Sequence, residues 1–421
     1  MKRGFGLLAA LLTLVGALSA GEVTILGTAD IHGDMVGLAR LAAVIRRYPE
    51  AIKVDAGDLI QGGYAAVMQR GAPLFDILNE LGCSCFVPGN HEFEFAPADF
   101  VAWQGRFHGR ILGAQWSYGG FRPASGMVVE RSGYRIGIVG LTESGVERRA
   151  AVCPGLAWRD QTAAIRAALT ELRKSKCDAI ILVCHLPIRG EYGPLYRILR
   201  AFPEFDGVIA AHSHRESAGT LIAGKMAVQP GQRASSAARL VLHFSDAKRL
   251  THVTGDLLRP GRESDPAVER IRREAGRRAF RDAPKWHRKF ADVSDFGRTA
   301  AEGLRRECGV DAAIFAVEAR HFVPEMDHFR LFRTLPFGNR LCAVTLDAKD
   351  LPRLARELET PTRRVFVTIA PDRRGRVTAV MSDYLWRRSP RLRSLPMRVL
   401  DRFERETVGE HLEKSASGTI L

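Results

Sequence analysis

The sequence lacks a second long hydrophobic run: after the first twenty residues, no apolar stretch approaches the length that a membrane-spanning helix needs. It also lacks the biased composition of disordered, collagen-like or coiled-coil proteins, since 46% of its 421 residues are hydrophobic and 26% are charged. These absences leave a globular protein. The length predicts two or three domains, each large enough to fold without a metal or a disulfide as a staple.

Cysteine is scarce, and its spacing shows no disulfide framework. An odd number with no regular pattern favours buried free thiols for most positions, and a single disulfide remains open. The seven cysteines are Cys83, Cys85, Cys153, Cys177, Cys184, Cys308 and Cys342.

The first twenty residues have the pattern of a secretory signal peptide. Lys2 and Arg3 precede an apolar stretch at 5–18, and small residues close the segment at 17–20. The apolar run is too short for a typical membrane anchor, although an uncleaved anchor stays open as an alternative. We therefore expect an exported protein, periplasmic or extracellular, with no integral membrane segment after the signal peptide is removed.

The formal net charge is +15, and most of the basic excess lies after residue 258. A basic surface attracts anions such as phosphates, nucleic acids or acidic headgroups. The arginine pairs at 363–364, 373–374 and 387–388 have no interleaved aromatic residues. Solvated faces are therefore favoured over nucleic-acid binding.

From residue 22 to about 244, short aliphatic runs alternate with amphipathic stretches, which favours an α/β layered domain. The runs predict strands at 23–26, 52–54, 85–87, 135–139, 179–183 and 207–210. The amphipathic stretches predict helices at 36–48, 73–81 and 161–174. In such sheets the ligand site lies beyond the carboxyl ends of the strands, so polar residues that follow strands are the functional candidates.

Polar clusters follow five of the predicted strands, at 28–34, 55–58, 88–94, 184–187 and 211–214. A single Asp or His at a strand end is more often structural, but five such ends in a chain with 12 histidines indicate a shared site. The mixed nitrogen and oxygen donors are too many for one tetrahedral zinc and suit two divalent ions, for which Mn, Zn, Fe and Co are equally suitable. The donors are Asp30, His32, Asp58, Asn90, His185, His212 and His214.

The order and spacing of these clusters resemble the calcineurin-like metallophosphoesterases, and within them the periplasmic 5′-nucleotidase and 2′,3′-cyclic phosphodiesterase branch. The resemblance covers about residues 22–245 and implies a four-layer α/β sandwich, two β-sheets flanked by helices, with a smaller α+β C-terminal domain. The motifs that carry it are Asp30-x-His32, Asp55-Ala56-Gly57-Asp58, Gly89-Asn90-His91-Glu92-Phe93, His185 and His212-x-His214.

The resemblance also implies individual roles. Asp58 would bridge the two metal ions. His91 would be the catalytic imidazole, which polarises a phosphoryl oxygen or protonates the leaving group. Glu94 would orient that imidazole from a position where the branch commonly has Asp. The first metal would be held by Asp30, His32 and His214, and the second by Asn90, His185 and His212.

The second half of the chain departs from the same branch. Residues 335–339 and 382–384 weakly resemble its nucleotide-recognition domain, but its glycine-rich turn is missing at 316–321, where only Arg320 offers a contact to phosphate. The aromatic pair that holds the base is not identifiable in the sequence. The predicted organisation is a signal peptide at 1–20, a catalytic domain at 21–257, a linker helix region at 258–308 and a divergent C-terminal domain at 309–421.

These features predict a dinuclear-metal phosphoesterase that hydrolyses small phosphate esters, with nucleotides favoured, by attack of metal hydroxide on phosphorus. One alternative is a hydrolase of non-nucleotide phosphate, pyrophosphate or sulfur esters on the same scaffold. A second alternative is a non-catalytic anion-binding protein. The sequence gives no indication of the oligomeric state.

Overall fold

The computed structural model describes residues 21–143, 153–190 and 192–417. The expected signal peptide lies outside the described residues. Within those ranges, no helix is both long enough and apolar enough to cross a membrane. All seven cysteines are free thiols, and five of them are buried.

The described part of residues 21–258 forms two six-stranded sheets, ordered β14-β13-β1-β2-β3-β4 and β11-β12-β10-β9-β7-β6, with β5 and β8 paired separately. Three neighbouring pairs in each sheet are parallel: β1–β2, β2–β3 and β3–β4 in the first, and β7–β9, β9–β10 and β10–β12 in the second. The strands are β1 (Gly21–Thr28), β2 (Ile52–Asp55), β3 (Cys83–Phe86), β4 (Arg110–Ile111), β5 (Trp116–Tyr118), β6 (Gly126–Arg131), β7 (Tyr134–Leu141), β8 (Leu156–Trp158), β9 (Ala179–Cys184), β10 (Gly207–Ile209), β11 (Ser217–Ile222), β12 (Lys225–Gln229), β13 (Ala237–Phe244) and β14 (Leu250–Leu258).

Alternation along each strand divides this region into layers. In β1, Val23 and Ile25 face the core between the two sheets, whereas Leu26 faces the helices on the outer side. Separate apolar cores lie under the helices on each outside face. The predicted four-layer sandwich is confirmed. Its helices are α1 (Met35–Ile45), α2 (Tyr64–Met68), α3 (Ala72–Glu80), α4 (Pro97–Arg106), α5 (Gln161–Lys174) and α6 (Pro194–Ala201).

The described residues after 258 form a smaller α+β unit, as expected, around a five-stranded sheet ordered β19-β16-β20-β18-β21. Apolar cores cover both faces of this sheet. Its strands are β15 (His287–Lys289), β16 (Ala312–Glu318), β17 (Glu325–Asp327), β18 (Arg340–Asp347), β19 (Arg363–Ile369), β20 (Arg376–Ser382) and β21 (Met397–Phe403). The helices are α7 (Pro266–Arg281), α8 (Val293–Glu307), α9 (His328–Thr334), α10 (Leu351–Leu358), α11 (Asp383–Arg388), α12 (Pro390–Arg393) and α13 (Glu404–Ala416).

The two helices of the predicted linker pack against different partners. Helix α7 lies against α1, α2 and α3 of the first domain, whereas α8 lies against β16, β19 and α13 of the second. The domain boundaries drawn from the sequence stay a prediction.

Candidate metal centre

Six of the seven predicted ligands meet at one edge of the sandwich, because each follows a strand whose carboxyl end points to that edge. Their donor atoms form two groups, each with all members within 4.8 Å of one another, and Asp58 belongs to both. One group contains Asp30, His32, Asp58 and His214, and the other contains Asp58, His185 and His212. For these six residues the division is the same as that of the two metal positions that the resemblance implies, and Asn90 is in neither group.

The donor atoms of neighbouring residues in the cluster lie 3.0 to 3.5 Å apart. His32 Nε2 lies 3.0 Å from His214 Nε2, and His185 Nε2 lies 3.2 Å from Asp58 Oδ2. His214 Nε2 lies 3.5 Å from Asp30 Oδ1. The two aspartates, His32 and His185 are buried, while His214 is exposed at the rim. Most of the donor atoms are therefore buried, and the cluster is open to solvent on the side of His214.

Backbone strain is concentrated at these residues. Five of the ligands have positive φ, a conformation that costs a non-glycine residue about 1 to 3 kcal/mol and that tends to occur at functional sites. They are Asp30 (φ 51), His32 (φ 49), Asp58 (φ 52), His212 (φ 80) and His214 (φ 58). The fold thus keeps these loops in conformations that aim the side chains at one point.

Two glycines let the loops after β2 and β3 approach each other closely. A Cβ on Gly57, whose φ is +95°, would lie 2.3 Å from the Gly89 nitrogen. A Cβ on Gly89 would lie 2.2 Å from Asp58 Oδ1. Only residues without a side chain fit here, which explains the glycine that precedes the acidic or amide residue in both motifs.

Backbone acceptors fix the ligand imidazoles. Nδ1 of His32 lies 3.1 Å from the Gln61 carbonyl oxygen, and Nδ1 of His185 lies 2.7 Å from the Ala56 carbonyl oxygen. A proton on Nδ1 leaves Nε2 as the donor atom toward the cluster. Burial lowers the pKa of His32 and of His212 to about 4, so both imidazoles are in the neutral form that binds a metal.

The cluster attracts positive charge. Burial opposes ionisation of His185, but the Asp58 and Asp30 carboxylates raise the pKa of this imidazole to about 10. Asp30 Oδ1 and Asn90 Oδ1 are buried and have no hydrogen-bond partner among the described residues. Buried polar atoms are usually paired, so these two oxygens suit a bound cation.

His91 and Glu94 lie beside the cluster in a short 3₁₀ helix, His91–Glu94. His91 Nδ1 is 2.6 Å from Glu94 Oε1, and His91 Nε2 is 4.0 Å from Asp58 Oδ2. The Asp58 carboxylate also accepts a hydrogen bond from the His91 amide at 2.9 Å. Glu94 thus orients the imidazole through Nδ1, while Nε2 faces the ligand cluster.

Sequence reasoning missed a role for Glu92, which is fully buried. Its carboxylate accepts hydrogen bonds from the amides of Asp58, Leu59 and Gly89 at 2.8 to 2.9 Å. It therefore ties the loops after β2 and β3 together beneath the ligands. A charged residue directly after the Asn-His pair was the available signal.

The second domain contributes a cavity of about 320 Å³ whose lining includes Phe337, Tyr384, Arg363 and Glu318. The Phe337 ring stacks near His91, with centroids 6.1 Å apart and planes at 18°. Arg320 is exposed and does not line this cavity. Both aromatic residues were missed because they come from segments 47 residues apart, although each lies in a stretch with a weak family resemblance.

The first domain is similar in sequence to known proteins. Residues 23–216 match the model of the calcineurin-like phosphoesterase family. A 5′-nucleotidase of Mus musculus is 26% identical over an alignment of 209 residues that covers 42% of this chain and 36% of the mouse protein. The chain thus matches about a third of the length of that curated relative.

Solved structures share the fold across both domains. A 5′-nucleotidase precursor from Thermus thermophilus has a TM-score of 0.64 and 16% identity, covering 94% of this chain and 97% of that one. A sulfate thiohydrolase of the same organism has a TM-score of 0.59 and 14% identity, with 94% of each chain covered. Residues 23–216 therefore belong to a calcineurin-like phosphoesterase domain, and a second, C-terminal domain follows it.

Proposed function

We propose that this protein is an exported phosphoric ester hydrolase that uses two divalent metal ions and acts on nucleotides. The observation that carries the proposal is the position of Asp58, whose carboxylate belongs to both ligand groups at the strand edge of a calcineurin-like domain. Two adjacent ions that share a carboxylate are a common arrangement for phosphoryl chemistry.

The residues present fit such ions. Asp30, His32 and His214 would hold one, Asn90, His185 and His212 the other, and Asp58 both. The unpaired oxygens of Asp30 and Asn90 and the neutral imidazoles of His32 and His212 support this assignment. When bound, two divalent ions lower the pKa of a water and neutralise charge on the phosphoryl oxygens. The donor types suit Mn, Zn, Fe or Co, and selection among them depends on supply.

His91 assists the reaction from beside the metal ligands. Glu94 accepts a hydrogen bond from Nδ1, so Nε2 remains directed at the ligand cluster. From that position the imidazole polarises a phosphoryl oxygen or gives a proton to the leaving oxygen. With only 19% of its side chain exposed, His91 is shielded from bulk water, which strengthens the interaction with a developing charge.

The cavity of the second domain is suited to the group that carries the phosphate. Phe337 connects the cavity to His91, and Tyr384 supplies a second aromatic ring. Two aromatic surfaces beside a phosphoryl site favour a nucleoside, and the mouse and Thermus relatives are named 5′-nucleotidases. Arg320, which we predict to contact phosphate, lies outside this cavity and stays a prediction.

A non-nucleotide ester on the same scaffold is the second candidate. The guanidinium groups of Arg363 and Arg388 each lie over the Tyr384 ring, 5.1 Å from its centroid. A base that stacked on Tyr384 would compete with these cations. One neighbour with the same fold is named a sulfate thiohydrolase, so the scaffold also occurs with a non-nucleotide substrate.

The proposal is tested by hydrolysis assays on the purified mature protein with added Mn or Zn. The substrates are 5′-AMP, 2′,3′-cyclic AMP, bis(p-nitrophenyl) phosphate and glucose 6-phosphate, and Asp58→Asn and His91→Ala are the test variants. Asp76→Asn, which alters a surface pair with Arg106, is the matched control. We expect nucleotide turnover that both test variants abolish and the control retains.

Two results would contradict the proposal. Turnover of only the non-nucleotide esters would replace the nucleotide assignment with the second candidate. A metal-loaded protein that binds anions but hydrolyses none of the substrates would indicate the non-catalytic binding protein. Export is checked separately by the N-terminal mass of the protein recovered outside the cytoplasm, which we expect to begin after residue 19 or 20.

A further inference from the structure

We propose that Glu94 is a positioning residue, through which the position of the second domain relative to the first determines the orientation of the His91 imidazole. Its effect on catalysis rests on the function proposed above, but the coupling itself is a property of the folded protein. The carboxylate is shared between two domains: one oxygen contacts the imidazole, and the other contacts the backbone of residue 338.

The first observation is the pair of contacts that Glu94 makes. Oε1 lies 2.6 Å from His91 Nδ1, and Oε2 accepts a hydrogen bond from the Gly338 amide at 2.9 Å. The Glu94 side chain is only 9% exposed, so both hydrogen bonds are largely protected from water. Hydrogen bonds to an ionised carboxylate are stronger than neutral ones, and they hold the group in one orientation.

The second observation is a parallel contact at Gln61. Its side-chain amide donates to the Pro336 carbonyl oxygen at 2.7 Å, while its own main-chain carbonyl oxygen lies 3.1 Å from His32 Nδ1. Residues 336–338 of the second domain therefore contact two residues that each hold an imidazole of the site, Gln61 for His32 and Glu94 for His91. Phe337, between the two contacts, stacks near the ring of His91 itself.

The segment 336–338 is firmly attached to its own domain. The Asn339 side chain donates to Glu404 Oε2 at 3.0 Å, and the Asn339 carbonyl oxygen accepts from the Glu404 amide at 2.9 Å. A shift of the second domain thus carries this segment with it. Glu94 would then lose its contact with the Gly338 amide, and His91 would lose a fixed acceptor.

The length of the side chain matters for this arrangement. The family branch that the sequence resembles commonly has Asp at this position, and a Glu extends the carboxylate by one more carbon–carbon bond, about 1.5 Å. The longer side chain lets one carboxylate contact both His91 and Gly338. For an Asp at position 94 we expect the contact with His91 to remain, as in that branch, and the contact with Gly338 to be lost.

The test uses two substitutions that release segment 336–338 by different routes. Glu94→Asp keeps a carboxylate for His91 and withdraws it from Gly338. Gln61→Asn withdraws the side chain from Pro336 and keeps the main-chain acceptor of His32, without altering Glu94 or His91. Glu80→Asp, in a surface pair with Arg46, is the matched control for shortening a carboxylate.

Hydrogen–deuterium exchange at residues 335–340 measures the contact between the domains. We expect both variants to raise the exchange rate there about tenfold, with unchanged rates in β1 and β16 and no change in the control. An unchanged rate at residues 335–340 in Glu94→Asp would overturn the proposal, because the Gly338 contact would then hold nothing.

The His91 Nδ1 proton resonance, observed in protein labelled with ¹⁵N-histidine, measures the coupling without any substrate. We expect Gln61→Asn to shift or broaden this resonance, although the substitution leaves His91 and Glu94 themselves unaltered. In the hydrolysis of bis(p-nitrophenyl) phosphate, we expect it to lower kcat about tenfold with little change in KM, as a misplaced catalytic group does.

An unaltered His91 resonance in Gln61→Asn, with faster exchange at residues 335–340, would also overturn the proposal, since the segment would move without affecting the imidazole. A protein with no hydrolytic activity at all would contradict the proposed function only. The exchange and resonance measurements would still decide whether Glu94 couples the domains.

Discussion

The two domains present their functional side chains in different ways. In the first, candidate metal ligands extend from loops after parallel strands, five of them in a strained backbone conformation, and they converge on one buried point. In the second, the cavity is lined by the end of β16, the start of β19, helix α11 and the loop before β18. A metal cluster requires particular donor atoms at particular positions, whereas a cavity wall requires mainly shape. The first domain is therefore constrained by chemistry and the second mainly by packing.

The largest expected effect is at the shared carboxylate. Asp58→Asn removes the charge common to both ligand groups, so we expect hydrolysis to fall by about 10³-fold and the bound metal to fall below two ions per chain. Metal analysis together with kcat/KM checks this, with Asp76→Asn as the control. Full activity at normal metal content would show that the first domain does not depend on this point of convergence.

His91→Ala should separate catalysis from metal binding. General acid and base groups contribute about 10² to 10⁴-fold, and His91 belongs to neither ligand group. We expect a loss of activity in that range with two ions still bound. A variant that lost its metal as well would place His91 among the ligands and would contradict the role assigned to it.

Glu92→Gln should weaken the support beneath the ligands. The variant retains one acceptor oxygen but loses the charge that four backbone amides share. Groups that orient metal ligands typically change metal affinity about 10 to 100-fold. Titration of the metal-free variant with Mn or Zn measures this, and an affinity equal to that of the unaltered protein would show that the loops need no such anchor.

Phe337→Leu tests whether the cavity of the second domain selects the substrate. If the cavity binds a base, loss of the ring should raise KM for 5′-AMP about tenfold, since stacking on one aromatic ring contributes about 1 to 3 kcal/mol. The KM for bis(p-nitrophenyl) phosphate should change less. Equal changes for both substrates would indicate that the cavity does not select nucleotides.

The smallest expected effect concerns stability. Burial raises the pKa of Glu404 from 4.5 to about 7. Because the folded-state pKa is the higher one, this carboxyl contributes stability that is complete below pH 4.5 and is lost as the pH rises through about 7. In the unaltered protein this carboxyl should lower the free energy of unfolding by about 1 to 3 kcal/mol between pH 5 and 8. In Glu404→Gln this decrease should be absent. Urea unfolding at several pH values measures it, and an unchanged pH dependence in the variant would refute it.

Much of the first domain could be predicted because its signals are local. Helix α5 begins and ends where the apolar spacing places it, and the motif residues Asp30 and Asp58 lie two and three residues after the ends of β1 and β2. The contacts of Gln61 and Glu94 could not be predicted, since their partners lie 275 and 244 residues away in the chain. Periodicity carries no information about such pairs.

The cavity of the second domain was harder to predict, because it too depends on residues that are distant in the chain. Phe337 and Tyr384 share a cavity only because β18 and β20 are neighbours in its sheet, a pairing that local sequence does not show. The glycine-rich turn expected at 316–321 is replaced by the end of β16 and a short 3₁₀ helix, Ala319–His321, which places Arg320 at the surface. Motif matching alone therefore could not find the residues that line the cavity.

The central claim is that Asp58 joins two metal ions at the strand edge of the first domain. The most direct test is anomalous diffraction at the manganese edge from crystals of the mature protein grown with Mn. The account predicts two peaks, both beside the Asp58 carboxylate, one among Asp30, His32 and His214 and the other among Asn90, His185 and His212. A single peak, or two peaks that do not share Asp58, would contradict it.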